Sequence, residues 1–372
     1  MRICFVTAGY QPGTDAIGAH TWWLSGALAN LGNEVVVFTG APAPYSVQPK
    51  VHVRHAFRSG EAGSIRELEG AIAEDGGVDW LVLQYNPFAF GRWGMNPWLV
   101  PVLLSVKRRF SCRLAVIYHE LYTQDAGARP SVMRLWQVPQ CRRLARISDL
   151  NVASCEIYMK QMRGWGCPAE SMPVGSNLPL GERSNEGKAG AIVLGTFGTG
   201  HVSRRMDWIS AAAQAVADQG LLDKVVFVGA GGSVARQHFN GLPMETTGTV
   251  SDSEASAALA KLDVFLGPFS DGLTARRGSV AAALQHSVAV VSTLSERTDA
   301  IFRAADGKAL RLAPDRNSFC RQVVELAADR QRRREMGAAG AKLYADNMDW
   351  PVLAKRLDKW IRAKQDALSA SG

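Results

Sequence analysis

A chain of 372 residues exceeds what one hydrophobic core usually serves, so two domains of ordinary size are expected. Hydrophobic residues at 47% and charged residues at 20% place it among globular chains and exclude extended disorder. A net charge of +8 favours anionic partners such as nucleotide-sugars, phospholipid headgroups or nucleic acid, and the absence of any helix-turn-helix, finger or RNA-binding aromatic motif sets nucleic acid aside.

The N-terminus, MRICFVTAGY, has too short an apolar segment for a secretory signal, and a cytoplasmic protein is expected. Arg2 to Thr7 read as a buried strand, followed by the loop AGYQPGTDAIG and a helix from His20 to Leu31 that Gly32 stops. EVVVFTG is the next strand, giving the β-loop-α-β opening of a parallel sheet with crossover helices. Gly9, Gly13 and Gly18 make the first loop glycine-rich without forming GxGxxG. The second strand ends Phe38-Thr39-Gly40 with no acid for a nicotinamide ribose, which disfavours a dinucleotide dehydrogenase. VHVRHAF, DWLVLQY, RLAVIYHE and DLNVASC continue the strands, with SIRELEGAIAE and LVPVLLSVKRRF as helical material. WLVPVLLSV, interrupted by Pro101, is about half the length of a membrane span. Ligands of such sheets bind beyond the carboxyl ends of strands, where Gln84-Tyr85-Asn86 and His119-Glu120 fall.

Between Gly181 and Gly190, GERSNEGKAG loses its apolar residues, and a domain boundary is placed there, with domains at 1–180 and 188–345. AIVLGTFG, the loop GTGHVSRR and a helix from Met206 to Ala217 repeat the opening layout. KVVFVGAG, DVFLGP and VAVVST supply further strands, and Ser251 or Ser253 caps the helix SDSEASAALAKL. After DVFLGP a carboxylate-glycine turn leads to Arg276, Arg277, Gly278 and Ser279 at the start of an alanine-rich helix, and this describes an anion site for phosphate or diphosphate. From Asp315 the chain is helical, broken at Gly337 and Gly340, and a last helix restarts near Met348 with Pro351 in its first turn. Cys4, Cys112, Cys141, Cys155, Cys167 and Cys320 show neither CxxC nor metal-ligand spacing and read as buried thiols.

Two similar α/β halves, a short linker and a kinked C-terminal helix resemble the GT-B fold of glycosyltransferases. MRICFVTAGYQPGTDAIGAHTWWLSGALANLGNEVVVFT resembles the opening of the large retaining family that includes sucrose and mannosyl transferases. NVASCEIYMKQMRGWGCPAESMPVGSNLP resembles that family's last N-domain segment, and TGTVSDSEASAALAKLDVFLGPFSDG its base-binding and sugar-binding run. The resemblance implies an α/β protein of two doubly wound, Rossmann-like domains facing a central cleft. An acceptor-side N-terminal domain is joined by the returning helix at about 348–372, and the second domain binds the nucleotide-sugar.

It also implies roles. The Gly18 loop faces the donor sugar, Gly248 and Val250 lie in the base-binding run, and Gly272 follows the sugar-binding turn. With Gly198 on the family's glycine, Thr199 stands where an arginine on the diphosphate is usual and Arg204, next to Arg205, where a lysine is. Arg276 or Arg277 replaces the missing cation. Asp271 fits the first of the family's two glutamates. The second position holds no carboxylate before Glu296, so Ser279 or Gln285 serves the ribose. His119 contacts the donor sugar and Glu120 the acceptor. The implied reaction is metal-independent transfer with retention, through an oxocarbenium-like state, from a UDP- or GDP-sugar to a glycan, a lipid-linked acceptor or a small molecule in polysaccharide or glycoconjugate biosynthesis. No cofactor is implied. Trp22, Trp23, Trp93, Trp98 and Trp136, with Arg108, Arg109, Arg142 and Arg143, offer a membrane-facing surface. The alternatives are a degenerate GT-B protein that binds a nucleotide-sugar or a partner without turnover, and a nucleotide-sugar epimerase.

Overall fold

The computed structural model describes residues 1–10, 15–45, 48–124, 127–181, 191–239 and 241–369, so Gly13 and most of the Gly181–Gly190 segment lie outside it. Two compact units result, one of Met1–Pro173 with Trp350–Gly372 and one of Val174–Asp349.

The first unit is a parallel sheet of β1 (Arg2–Thr7), β2 (Glu34–Thr39), β3 (Val51–His55), β4 (Trp80–Tyr85), β5 (Arg113–Tyr118), β6 (Leu150–Ala153) and β7 (Glu170–Ser171), in the order β3-β2-β1-β4-β5-β6-β7. Its helices are α1 (Ala16–Asn30), α2 (Leu68–Glu74), α3 (Leu99–Arg109), α4 (Ala128–Ile147) and α5 (Glu156–Gly164). β1 shows why the apolar runs are unbroken. Ile3 and Phe5 pack on one face and Cys4 and Val6 on the other, each in its own core, because a crossover sheet is covered on both sides. α1 begins four residues before His20, since the Asp15 carboxylate caps it by accepting from the Ile17 and Gly18 amides. α3 tolerates Pro101 because the first turn of a helix has no partners for its amides.

The second unit is also parallel, with β8 (Ile192–Phe197), β9 (Leu222–Val228), β10 (Met244–Thr246), β11 (Val264–Gly267), β12 (Ala289–Thr293) and β13 (Arg311–Ala313) in the order β10-β9-β8-β11-β12-β13. Its helices are α6 (Met206–Ala217), α7 (Gly232–Arg236), α8 (Asp252–Ala260), α9 (Gly278–Gln285), α10 (Ala300–Ala305), α11 (Arg316–Ala328) and α12 (Arg330–Asn347). Ser251 caps α8 in a reciprocal box with Glu254. α13 (Trp350–Ser369) then rejoins the first unit, where Leu353 and Leu357 pack with α1 residues in one core.

Three expectations change. The units part at Pro173/Val174 rather than near 180: the Val174 amide donates to Ala275 O at 2.9 Å, and Leu178 is buried in the second unit's core. α12 runs unbroken through Gly337 and Gly340, and the interruption falls at Asp329 instead. A Cβ at Gly340 would lie 2.9 Å from Leu284 and 3.2 Å from Ala309 O, so this glycine lets α12 approach its neighbours closely. α4 is a helix that the apolar pattern of the sequence does not reveal. Its buried positions, Met133, Gln137, Cys141 and Leu144, have helical spacing, but an amide at Gln137 and a thiol at Cys141 hide the stripe among arginines.

Candidate functional site

In the second sheet the strand order reverses between β8 and β11, and the loops leaving these two neighbours are stitched together. The Ser270 amide donates to Ser203 O at 2.8 Å and the Arg205 amide to Pro268 O at 2.9 Å, flanking an antiparallel bridge between Arg204 and Phe269. The loop after β9 joins them by backbone contact. A Cβ at Gly231 would sit 2.4 Å from the Gly200 amide nitrogen, and one at Gly229 would sit 2.6 Å from Gly198 O. Gly248 bridges to Gly229, and Val250 packs half-buried against the core. Gly272, at φ 81°, closes the turn after β11, with Ser295 Oγ donating to Asp271 O at 2.8 Å.

This frame gathers charge. Arg204 is 8% exposed and donates to Thr196 Oγ1, to Phe197 O at 2.8 Å and to Ser279 Oγ at 3.2 Å. All three acceptors are neutral. Burial, and then the neighbouring Arg277 charge, lower its pKa to about 9. Both guanidiniums lie over the Phe269 ring, Arg204 at 5.0 Å and Arg277 at 4.2 Å from its centroid. Arg277 also donates to Ser203 Oγ at 3.2 Å and pairs with Asp271 Oδ1, while Arg276 pairs with Asp271 Oδ2 at 2.9 Å. Burial acts to raise the Asp271 pKa, but Arg277 and Arg276 hold it below the ordinary carboxylate value. α9 starts at Gly278, directly after Arg277, and no side chain caps it.

Two expected residues do not join the cluster. Arg205 turns to Asp207, with contacts of 3.1 and 3.0 Å, and stacks over Trp208. Gln285 ends α9, about 9 Å along the axis from Ser279. Ser279 itself is engaged by Arg204. Phe269, Ser203 and Asp299 belong to the cluster without any motif in the sequence that marks them. The buried Asp299 accepts from the Ala275 amide at 2.5 Å and so holds the loop that presents both arginines. Its one signal is a helix-capping residue type directly before AIFRAA.

The first sheet reverses between β1 and β4, and its strand ends carry a second group. The Gly18 amide donates to Asp15 Oδ2 at 2.7 Å, and a Cβ there would lie 2.9 Å from Gly9 and Tyr10 backbone atoms. The His119 amide donates to Tyr85 O, and its Nε2 lies 2.6 Å from Gln84 Oε1, where the imidazole donates. The His20 ring meets the His119 ring edge-on at 4.6 Å, and Trp350 lies 5.0 Å from His20. Asn86 Nδ2 donates to Glu120 Oε2 at 3.4 Å.

Burial lowers the His119 pKa to about 4, and burial followed by the His119 charge lowers that of His20. Both imidazoles are therefore neutral at pH 7. Because the folded values lie below the unfolded one of about 6.5, their contribution to stability is complete above that pH and is lost on acidification toward 4. The midpoint of thermal unfolding should fall between pH 6.5 and 4, and His119→Asn should flatten that slope.

No protein-family model and no curated protein matches the chain. Solved structures do. Sucrose-phosphate synthase from Thermosynechococcus elongatus superposes with a TM-score of 0.73 at 16% identity, covering 99% of this chain and 100% of that one. Anabaena HepE, in complex with UDP-glucose, gives 0.70 at 14%, covering 98% and 100%. WaaG, a glycosyltransferase involved in lipopolysaccharide biosynthesis, gives 0.63 at 13%, covering 96% and 99%. These structures have the GT-B fold, and the chain shares it over nearly its whole length.

Proposed function

We propose that the chain is a glycosyltransferase that moves a sugar from a UDP- or GDP-linked donor to an acceptor hydroxyl, with retention and without a metal. The observation that carries this reading is Arg204: a buried guanidinium bonded, among the described residues, only to neutral oxygens, beside Arg277 and a helix start without a side-chain cap. A buried cation without a carboxylate among its partners is costly until an anion arrives, and a diphosphate matches two arginine forks and a row of amides. The UDP-glucose complex of the HepE neighbour supports a donor of that kind. As the sugar–diphosphate bond breaks, charge develops on the leaving oxygen, and preformed donors stabilise it. In the same reading His119 serves the donor sugar as a neutral hydrogen-bonding group and Glu120 serves the acceptor. Six cysteine thiols, five of them buried, suit a reducing compartment, and we place the reaction in the cytoplasm.

A second reading, a nucleotide-sugar binder without turnover, draws on Asp271, whose carboxylate is already held by two arginines. The same ion pairs tell against an epimerase, which needs carboxylates available for proton transfer. Donor hydrolysis and transfer assays with a panel of UDP-, GDP- and TDP-sugars separate these. Turnover that falls about 100-fold in His119→Ala, with nucleotide affinity retained, is the expected result. Tight nucleotide binding with no turnover of any donor would favour the binder.

A further inference from the structure

The net charge of this chain is concentrated in one stretch. Of 42 lysines and arginines and 34 aspartates and glutamates, the stretch from Trp80 to Ile147 contains ten cations and two acids, which leaves 32 of each sign over the rest of the chain. The same stretch bears six of the nine large apolar side chains that are exposed among the described residues. Two independent oddities, charge excess and exposed apolar surface, therefore coincide in the first unit.

Their arrangement is ordered. Along α4 the exposed residues Val132, Leu135, Pro139, Arg142 and Arg146 recur at intervals of three and four, so they form one stripe, apolar in its first half and basic in its second. Leu135 is 73% exposed. The helix has five arginines and no acid. Beside its apolar half lies the turn Arg92–Gly94, tied to α4 by Trp136 Nε1 and Gln137 Nε2, which both donate to Trp93 O at 3.0 and 2.9 Å. Trp93 has a left-handed backbone, φ 57°, an uncommon and strained conformation for a bulky residue, and the residue is 49% exposed. Arg92 and Arg129 flank that ring at 5.2 and 5.7 Å, and Arg66 covers Trp98 at 4.6 Å. The fold thus maintains, at a conformational cost, an indole directed to water between arginines.

We propose that this face binds the surface of a bilayer containing anionic phospholipid, with α4 in the interfacial plane. Trp93, Trp98 and Leu135 enter the headgroup region, and Arg142, Arg143 and Arg146 meet the lipid phosphates. Exposed aliphatic groups such as Leu135, Val132 and Met95 favour lipid over single-stranded nucleic acid, which would call for flat stacking rings instead. The inference rests on this surface alone and not on the transferase reading.

Sedimentation with phosphatidylcholine vesicles, with and without phosphatidylglycerol, tests it on the full chain. Binding to the phosphatidylglycerol vesicles at low salt, lost at high salt, is expected. Arg142→Ala/Arg143→Ala/Arg146→Ala should weaken it about fivefold per arginine, and Leu135→Ser should weaken it at unchanged charge. A triple variant of equal charge loss on the second unit, Arg330→Ala/Arg334→Ala/Lys342→Ala, should leave it unaltered. Equal binding to both vesicle types, equal loss in both triple variants, or retention by an oligonucleotide or by self-association in place of vesicles would each overturn the proposal. Circular dichroism of every variant confirms that these exposed substitutions leave the fold intact.

Discussion

Replacing Arg204 by methionine should abolish most nucleotide binding while leaving the ligand-free protein about as stable as before. Among the described residues the guanidinium has no carboxylate as a hydrogen-bonding partner, and burial and the Arg277 charge already lower its pKa to about 9, so the unliganded fold gains little from the charge. Methionine is similar in length and apolar. It removes a desolvated cation but leaves Phe197 O and the Thr196 and Ser279 hydroxyls without their donor, and these opposed effects should cancel to within about 1 kcal/mol. UDP loses a charge-assisted, forked contact, on the order of 100-fold in Kd. Calorimetric titration with UDP and GDP, alongside thermal unfolding, reads both effects. If Arg204→Met binds both nucleotides as the parent does and instead unfolds several degrees lower, Arg204 is a structural residue and the donor site lies elsewhere.

Asp271→Asn should have the opposite signature. Its carboxylate pairs with Arg276 and Arg277, and its side chain is only 18% exposed, so the substitution removes a buried negative charge from between two guanidiniums. A loss of about 3 kcal/mol is expected, which for a unit of this size lowers the unfolding midpoint by roughly 6–12 °C. Nucleotide affinity should hold or improve, because the cluster becomes more positive. Transfer should fall on the order of 100-fold if the carboxylate orients the sugar. The stabilising contribution of Asp271 is present above the ordinary carboxylate pKa and is lost as pH falls through its depressed folded value. Parent and variant midpoints should therefore converge in acid. Persistence of the gap at low pH would mean that the destabilisation is steric.

Much of the architecture was legible in the chain. RICFVT, EVVVFT and VFLG are unbroken apolar runs because each strand is covered on both faces, and such runs in a β-loop-α rhythm leave little besides a crossover parallel sheet. Met206–Ala217 was bounded correctly because its buried positions repeat at helical spacing. Gly337 and Gly340 misled, since a glycine that breaks a helix and one that admits a neighbour look alike until the neighbour is seen. α4 was missed because its buried face is partly polar and its exposed face partly apolar, the reverse of the usual pattern.

The sequence by itself determined the class of fold, the repeat of the β-loop-α layout, and the concentration of arginines around Arg204 and Arg276–Ser279. Only the tertiary structure decided which of those groups meet. Arg204 and Arg277 are 73 positions apart, and what joins them is the pairing of the loops after β8 and β11 over Phe269, an aromatic ring that looks in the sequence like any core residue. It also decided that Arg205, next to Arg204, turns toward Asp207, and that Asp271 is held by its arginines. Periodicity reports which face of an element is buried, because burial follows the local repeat of the backbone. It does not report which partner a charge finds across a loop, because that is set by strand order and by close backbone approach at glycines such as Gly229 and Gly231.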